Sequence, residues 1–476
     1  MKLDVFRTQV KEQDVRVREG GKISGHVTLP KAATSSYCPD KPKILMSTQP
    51  PNPTRRRFLA YTPTLLALPL LPETALAFGK KKIREFGEIY DYLQNGYLRF
   101  EKAGKQRITV NGADFSGNQF KGTSWEFFDF VDCDFSGTYT IKLDWLADCT
   151  FTNCRFQGIF GFGQTVDVHF VRCKVNGESH IGSNWKSKNF IFEACEFSNS
   201  NNDRNHLGSI LCGGEIMFIG CKTRNIAWGG SRKLILRNCA TSQSVLRTAS
   251  PATFSDKSKM PYSDFLIEDC DLRGGAEISN AQLQSFTLRN SKVGILRTMG
   301  STVLGDVLIE DIKEGHLRLT SSNFCGKLTV RNCSFYHVYD GYSFQCPGIV
   351  AAYTLIENIT CSSRPANISG APEKMAEAKR LPKTQNKSLV IRNCKIPDLR
   401  IDWAQTEHLR IENCELGEVY IRDGRIGKLE IIGCSLMKLD VSRTQVKEQD
   451  VRVREGGKIS GHVTVTEGSN IKLTPR

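Results

Sequence analysis

Between residues 389 and 448 the chain parses without a gap into blocks of five, L-V-I-R-N, C-K-I-P-D, L-R-I-D-W, A-Q-T-E-H, L-R-I-E-N, C-E-L-G-E and onward, with the first and third places apolar or small. Neither a 3.6-residue helix nor a two-residue strand alternation keeps a period of five. The rhythm therefore predicts short straight segments with a corner in every block, four blocks closing one turn. A longer period agrees with this, because the phrase apolar-x-apolar-x-x-Cys ends at Cys394, Cys414 and Cys434, 20 residues apart. Upstream the same phrase ends at Cys239, Cys270, Ser291, Ile312 and Cys333, the last four 21 apart, so one residue per turn is absorbed at a corner. A unit that cannot bury its own apolar face must stack on its neighbours, which predicts a solenoid. With strands about 4.8 Å apart between turns, some 14 to 16 turns would make a rod about 70 Å long.

The blocks A-D-F-S-G (113–117), N-Q-F-K-G (118–122), C-D-F-S-G (133–137) and C-R-F-Q-G (154–158) resemble the pentapeptide-repeat family, whose blocks carry a small residue, Asp or Asn, then Leu or Phe, then two variable places. The resemblance spans 113 to about 451, with interruptions, and is ragged between 196 and 262. It implies an all-β fold, a right-handed quadrilateral parallel β-helix with the small residue and the central Phe or Leu pointing inward. Around it the sequence predicts a short N-terminal capping helix within 78–112. Loops protrude near 196–210, 241–262 and 362–388, the coil ends near 465, and a tail follows at 466–476.

Two columns of this stack are legible in advance. The residue two before the cysteine place runs Arg237, Glu268, Arg289, Glu310, Arg331, Glu357, Arg392, Glu412, a strict alternation of sign. In a parallel stack these side chains lie one above another, so alternation replaces like-charge repulsion with pairing between turns. A device that holds register is the preferred reading over a ligand-binding stripe, each exposed pair being worth about 0 to 1 kcal/mol. The following column is Asn or Asp throughout, residue types that tolerate a left-handed corner. Cys239, Cys270, Cys333, Cys394, Cys414 and Cys434 form a second column, with Cys133, Cys154, Cys173, Cys195 and Cys221 before them. They are expected to act as small buried hydrophobes, mostly reduced, because parallel Cβ vectors disfavour the disulfide dihedral. Cys346 and Cys361, outside the column, are the expected exceptions.

Ahead of the coil, Thr54 to Ala60 reads T-R-R-R-F-L-A and resembles a twin-arginine export signal, carried by Arg55, Arg56, Phe58 and Leu59. An apolar stretch over 61–71 and the small-x-small site Ala75-Leu76-Ala77 follow, so cleavage is expected after Ala77 and the mature chain at Phe78. This implies a periplasmic protein, or one of the thylakoid lumen if the source is cyanobacterial. Met1 to Thr28 repeats Met437 to Thr464 with one difference, Phe6 against Ser442. Turns placed before an export signal make little physical sense. Residues 1–45 therefore read as the tail of an upstream tandem gene plus spacer, with Met46 the start of a signal peptide at 46–77.

Charge and motif content then narrow the function. The formal charge is +15, from 65 basic and 50 acidic residues, but 12 of the basic and 6 of the acidic residues lie in 1–77. Much of the remaining surplus sits in Lys80, Lys81, Lys82 and Arg84 and in the segment 362–388, read as a solvated tail and loop. A nucleic-acid partner is not indicated; an unknown protein or an anionic envelope polymer is. Apolar residues at helical spacing over 83–100, Ile83, Phe86, Ile89, Tyr90, Leu93 and Tyr97, predict a helix capping the open coil end, with membrane contact the weaker rival. No C-x-x-C pair, grouped histidines or nucleophile, phosphate-loop or zincin motif occurs, so no metal, cofactor or catalytic residue is assigned. Asp129, Asp132 and Asp134 are the densest early carboxylates, yet they fill places the repeat gives to Asp anyway. The expectation is an exported, non-enzymatic binding or scaffolding module of the cell envelope. The alternative is a carbohydrate-active parallel β-helix, which needs two or three carboxylates converging on one groove. Some relatives within the resembled family mimic DNA and bind topoisomerase, a role that asks for an acidic cytoplasmic rod and does not suit this chain.

Overall fold

The computed structural model describes residues 81–95, most of 107–453 and Val463–Val465. The duplicated segment 1–28, the export signal with Arg55, Arg56, Phe58 and Leu59, the cleavage site at Ala77, most of the three expected loops, Cys346 and the tail 466–476 lie outside the described residues. What is described is nearly all parallel β-structure coiled into a β-helix, with one α-helix at its start.

Period five appears directly as burial. Leu389, Ile391, Cys394, Ile396, Leu399, Ile401, Ala404, Thr406, Leu409 and Ile411 are buried, the first and third places of successive blocks, while the places between face out. One face of the coil is a continuous ladder. Fifteen successive parallel pairings join sixteen rungs, beginning at 108, 128, 149, 168, 190, 216, 234, 265, 286, 307, 328, 354, 389, 409, 429 and 449. Each rung but the last, which begins at Gln449, is a variant of the six-residue phrase. The ragged stretch between 196 and 262 contributes two rungs, at Ile216 and Leu234.

The ladder on this face continues across the insertions. Leu234 pairs with Phe265, 31 residues on, across the expected loop at 241–262, and Thr354 pairs with Leu389, 35 on, across 362–388. The loop near 196–210 fits between Phe190 and Ile216. A fourth insertion, between Leu328 and Thr354, 26 residues apart, was not anticipated. The phrase on either side of it is intact, and only the spacing betrays it.

Corners are made by backbone handedness. The residue before each cysteine place has φ between +50° and +67° at Gly112, Asp132, Asn153, Arg172, Ala194, Gly220, Asn238, Asp269, Asn290, Asp311, Asn332, Asn358, Asn393, Asn413 and Gly433. All but Arg172 and Ala194 are Asn, Asp or Gly, the residues for which the left-handed region is least costly. A second left-handed corner follows ten residues later in the last turns, at Trp403, Asp423 and Arg443.

The core changes character along the coil. Phe130, Phe151, Phe170, Phe192 and Phe218 occupy one inward column and stack with centroids 4.9 to 5.0 Å apart and planes within 12°. From Leu236 onward that column is aliphatic, through Ile267, Leu288, Ile309, Val330, Ile356, Ile391 and Ile411. At the start, a 3-10 turn (Ile83–Phe86) and an α-helix (Glu88–Asn95) cover the first turn, separated by Gly87 at φ +55°. Ile83 and Leu93 are fully buried, and Trp125 Nε1 donates to the Leu93 carbonyl at 3.0 Å, closing the helix end onto the coil. The expected helix over 83–100 is thus interrupted by Gly87. Lys81–Lys82 is also not a solvated tail, since it pairs with Ala113–Asp114 and the Lys82 amine donates to Asp114 and Ser116, both at 2.6 Å.

Candidate functional site

The thiol column is packing. Cys133 Sγ donates to the Val110 carbonyl at 3.3 Å, Cys154 to Phe130 at 3.4 Å, Cys173 to Phe151 at 3.2 Å, and Cys239 to Phe218 at 3.3 Å, each reaching one turn back. Cys394, Cys414 and Cys434 repeat the contact at 3.8, 3.7 and 3.6 Å. Cys270 and Cys333 sit in the same column, buried. Burial pushes the Cys149 and Cys333 thiols up to about 12, so neither is a nucleophile near neutrality. Cys361, expected outside the columns, instead faces inward, 2% exposed, stacked on Phe335. Cys325 is the described cysteine engaged in a disulfide, and its partner lies outside the described residues.

The charge column is in register over all eight residues, from Arg237 opposite Glu268 to Arg392 opposite Glu412. Contacts within it fall into groups. Glu268 accepts from Arg237 at 2.9 Å and also pairs with Arg289. Arg331 donates to Glu310 at 2.6 Å and Arg392 to Glu357 at 2.7 Å, whereas Glu412 takes Arg410 on its own strand at 3.0 Å. Partial burial raises the Glu268 carboxyl, but the two guanidiniums outweigh it and hold the group below the usual carboxylate range.

The early carboxylates do not converge on a groove. Asp129 accepts from Arg107 at 2.7 Å, Asp132 from the Asn153 amide at 2.5 Å, and Asp134 from the Ser136 backbone at 2.9 Å. A denser polar grid lies near the C-terminal end on another face, where Asp398, Arg400 and Asp402 stack under Glu418, Tyr420 and Arg422, and these under Lys438, Asp440 and Ser442. The Tyr420 ring lies 4.4 Å from the Arg422 guanidinium and 4.9 Å from the Lys438 amine. Arg422 also donates to Asp440 at 2.5 Å, and Tyr420 to Glu418. Burial raises the Asp402 carboxyl against the pull of Arg422 and Arg400.

The surface that sequence reading missed is on the sixteen-rung face, in the outward place between the two inward residues of the phrase. That place runs from Ile191 through Met217, Ile235, Leu266, Leu308 and Leu355 to Val390, with Thr287 and Thr329 between them. Its neighbours on either side along each strand, such as Ile216 and Phe218, are fully buried, so alternation turns these residues away from the core; all are half-buried except Ile235 and Thr329, which are buried. Nine consecutive rungs give an apolar stripe about 38 Å long. On one side runs the Arg/Glu column. On the other are Lys233, Asp264, Ser285, Asp306 and Lys327, then Tyr353, 47% exposed beneath the Lys387 amine. Toward both ends of the coil the same place becomes polar, Asp129, Thr150 and His169 at one and Arg410 and Glu430 at the other. The signal was present in F-L-I-E-D-C and V-L-I-E-D-I, where three apolar residues stand in a row although the fold buries two; in L-I-L-R-N-C all three are buried. No family model, curated protein or solved structure matches the chain.

Proposed function

We propose that this chain is an exported, non-enzymatic β-helix of the pentapeptide-repeat type that serves as a binding or scaffolding module in the cell envelope. One observation carries the binding role, the apolar stripe from Ile191 to Val390 between two polar columns. Water-facing places in a repeat can all be polar, and a contiguous apolar surface rimmed by charge marks a protein-docking face. The basic insertion 362–388, most of which lies outside the described residues, is the natural second contact, suited to an anionic envelope polymer. Export through the twin-arginine pathway accords with a buried thiol column, since that route carries proteins already folded in a reducing compartment.

Binding of the purified chain to peptidoglycan and to envelope polysaccharide, and to solubilised envelope proteins, tests this directly when compared with the Leu308→Lys variant. Loss of protein capture with retained fold is the expected result. Release of sugar from the same incubations would overturn the non-enzymatic reading in favour of a carbohydrate-active β-helix. That reading would draw on Asp402, whose carboxyl burial raises, and the carboxylates grouped around Tyr420. N-terminal sequencing of the exported protein should begin at Phe78, and a recovered peptide from residues 1–28 would refute the assigned start.

A further inference from the structure

The Arg/Glu column is longer than the ion pairs within it require, and its order has a symmetry that pairing within one chain does not demand. Following the register outward in both directions, the column reads Glu193, Ile219, Arg237, Glu268, Arg289, Glu310, then Arg331, Glu357, Arg392, Glu412, Ile432 and Arg452. Reversed, it becomes its own complement. Glu310 falls opposite Arg331, Arg289 opposite Glu357, Glu268 opposite Arg392, and Arg237 opposite Glu412. Beyond them Ile219 falls opposite Ile432, and Glu193 opposite the register position of Arg452. Simple alternation satisfies the eight central places, and the apolar pair is additional.

We infer that the sixteen-rung face is a self-association surface, on which two copies of this chain pack antiparallel about a two-fold axis running along the strands between the Glu310 and Arg331 rungs. Such an axis keeps each column facing itself with the order of rungs inverted, as an isologous interface requires. Over the six central rungs it lays stripe on stripe, with Leu308 over Thr329, Thr287 over Leu355 and Leu266 over Val390 of the opposite copy, while toward the ends Ile235, Met217 and Ile191 fall opposite the register positions of Arg410, Glu430 and Asp450. In the third outward column it sets Asp306 against Lys327 and Glu215 against Lys428, again opposite in sign. Twelve overlapping rungs and a strand width of five residues give about 53 Å by about 13 Å, or about 700 Å² per copy, within the range of stable interfaces. This rests on the reading of the stripe as a docking face and names what docks there.

Sedimentation of the purified chain should show a dimer at micromolar concentration and a monomer for Leu308→Lys, with an unchanged far-ultraviolet circular-dichroism spectrum. Arg289→Glu should dissociate the dimer and Arg289→Glu/Glu357→Arg should restore it. The second substitution adds like-charge contacts with Arg331 and Arg392 inside each copy, so recovery reports pairing between copies. Leu266→Cys with Val390→Cys should give a covalent dimer on mild oxidation, because within one copy the two lie five rungs, about 24 Å, apart, beyond disulfide reach. Leu266→Cys alone should not. A native chain that stays monomeric at about 100 µM, a dimer indifferent to these substitutions, or cross-linking of Leu266→Cys to itself would overturn the inference. A monomer whose capture of an envelope protein is nevertheless lost in Leu308→Lys would overturn self-association while leaving the docking face intact.

Discussion

Substitution at the corner before the cysteine place separates backbone handedness from side-chain bonding as the source of turn stability. Asn332 has φ +54°, is exposed, and accepts a 2.8 Å bond from the Asn358 amide one turn on. Alanine there keeps the left-handed backbone but loses tolerance of it, at about 1 kcal/mol, and loses the side-chain bond, at about 1 kcal/mol, so Asn332→Ala should cost about 2 kcal/mol. Glycine removes only the bond, and Asn332→Gly should cost about 1 kcal/mol. Ala194 offers the converse, because it is exposed, left-handed at φ +52° and has no amide to lose. Relief of strain should exceed the greater freedom of the unfolded chain, and Ala194→Gly should gain about 0.5 kcal/mol. A long stack need not unfold in one step, so native-state hydrogen exchange at the local rung is the appropriate assay. The Asn332 amide, bonded to the Glu357 carbonyl at 3.0 Å, is the reporter for that corner. Equal losses for Asn332→Gly and Asn332→Ala, or faster exchange near residue 194 in Ala194→Gly, would refute the claim that handedness stabilises the corners.

Three further outcomes follow from the geometry. Phe151 is stacked between Phe130 and Phe170 at 4.9 Å on each side, so Phe151→Ala should cost about 3 to 5 kcal/mol in guanidinium unfolding and Phe151→Leu distinctly less. Iodoacetamide should fail to label the column thiols of the native protein at pH 8 and label them on unfolding, since they are buried and burial pushes Cys333 among them up to about 12; rapid native labelling would contradict the packing. Glu268, whose carboxyl is held below its ordinary value of 4.5, adds stability that is present above that value and lost as pH falls through the folded one. Glu268→Gln should therefore lower stability by about 0.5 to 1 kcal/mol at pH 7 and by progressively less as the pH falls through the folded value.

Much of the coil was legible before any coordinates. Period five places Leu389, Ile391, Cys394 and Ile396 inward because a corner every five residues resets strand alternation at a fixed phase, and the structure buries these residues. Asn and Asp before the cysteine place announce a left-handed corner because few other side chains accept it. Opposite signs at Arg237 and Glu268 announce adjacency because parallel stacking brings equivalent places together. These are local or nearest-neighbour requirements, and a repeat writes them many times over.

What tertiary structure decided concerns which bonds form and which surfaces remain. Glu268 binds two arginines while Glu412 turns to Arg410, a choice set by rotamers on adjacent rungs that no spacing encodes. Cys361 joins the core although its segment lacks the rhythm, because the rung at Phe335 leaves an inward place above it. Above all, the sequence by itself determined that a four-block coil forms, since each block states its own inward pair and corner. Only stacking decided that Ile191, Leu266 and Val390, separated by long insertions, stand in one outward line. That line depends on register carried through backbone hydrogen bonds across gaps of up to 35 residues, and register between distant turns is a property of the assembled sheet.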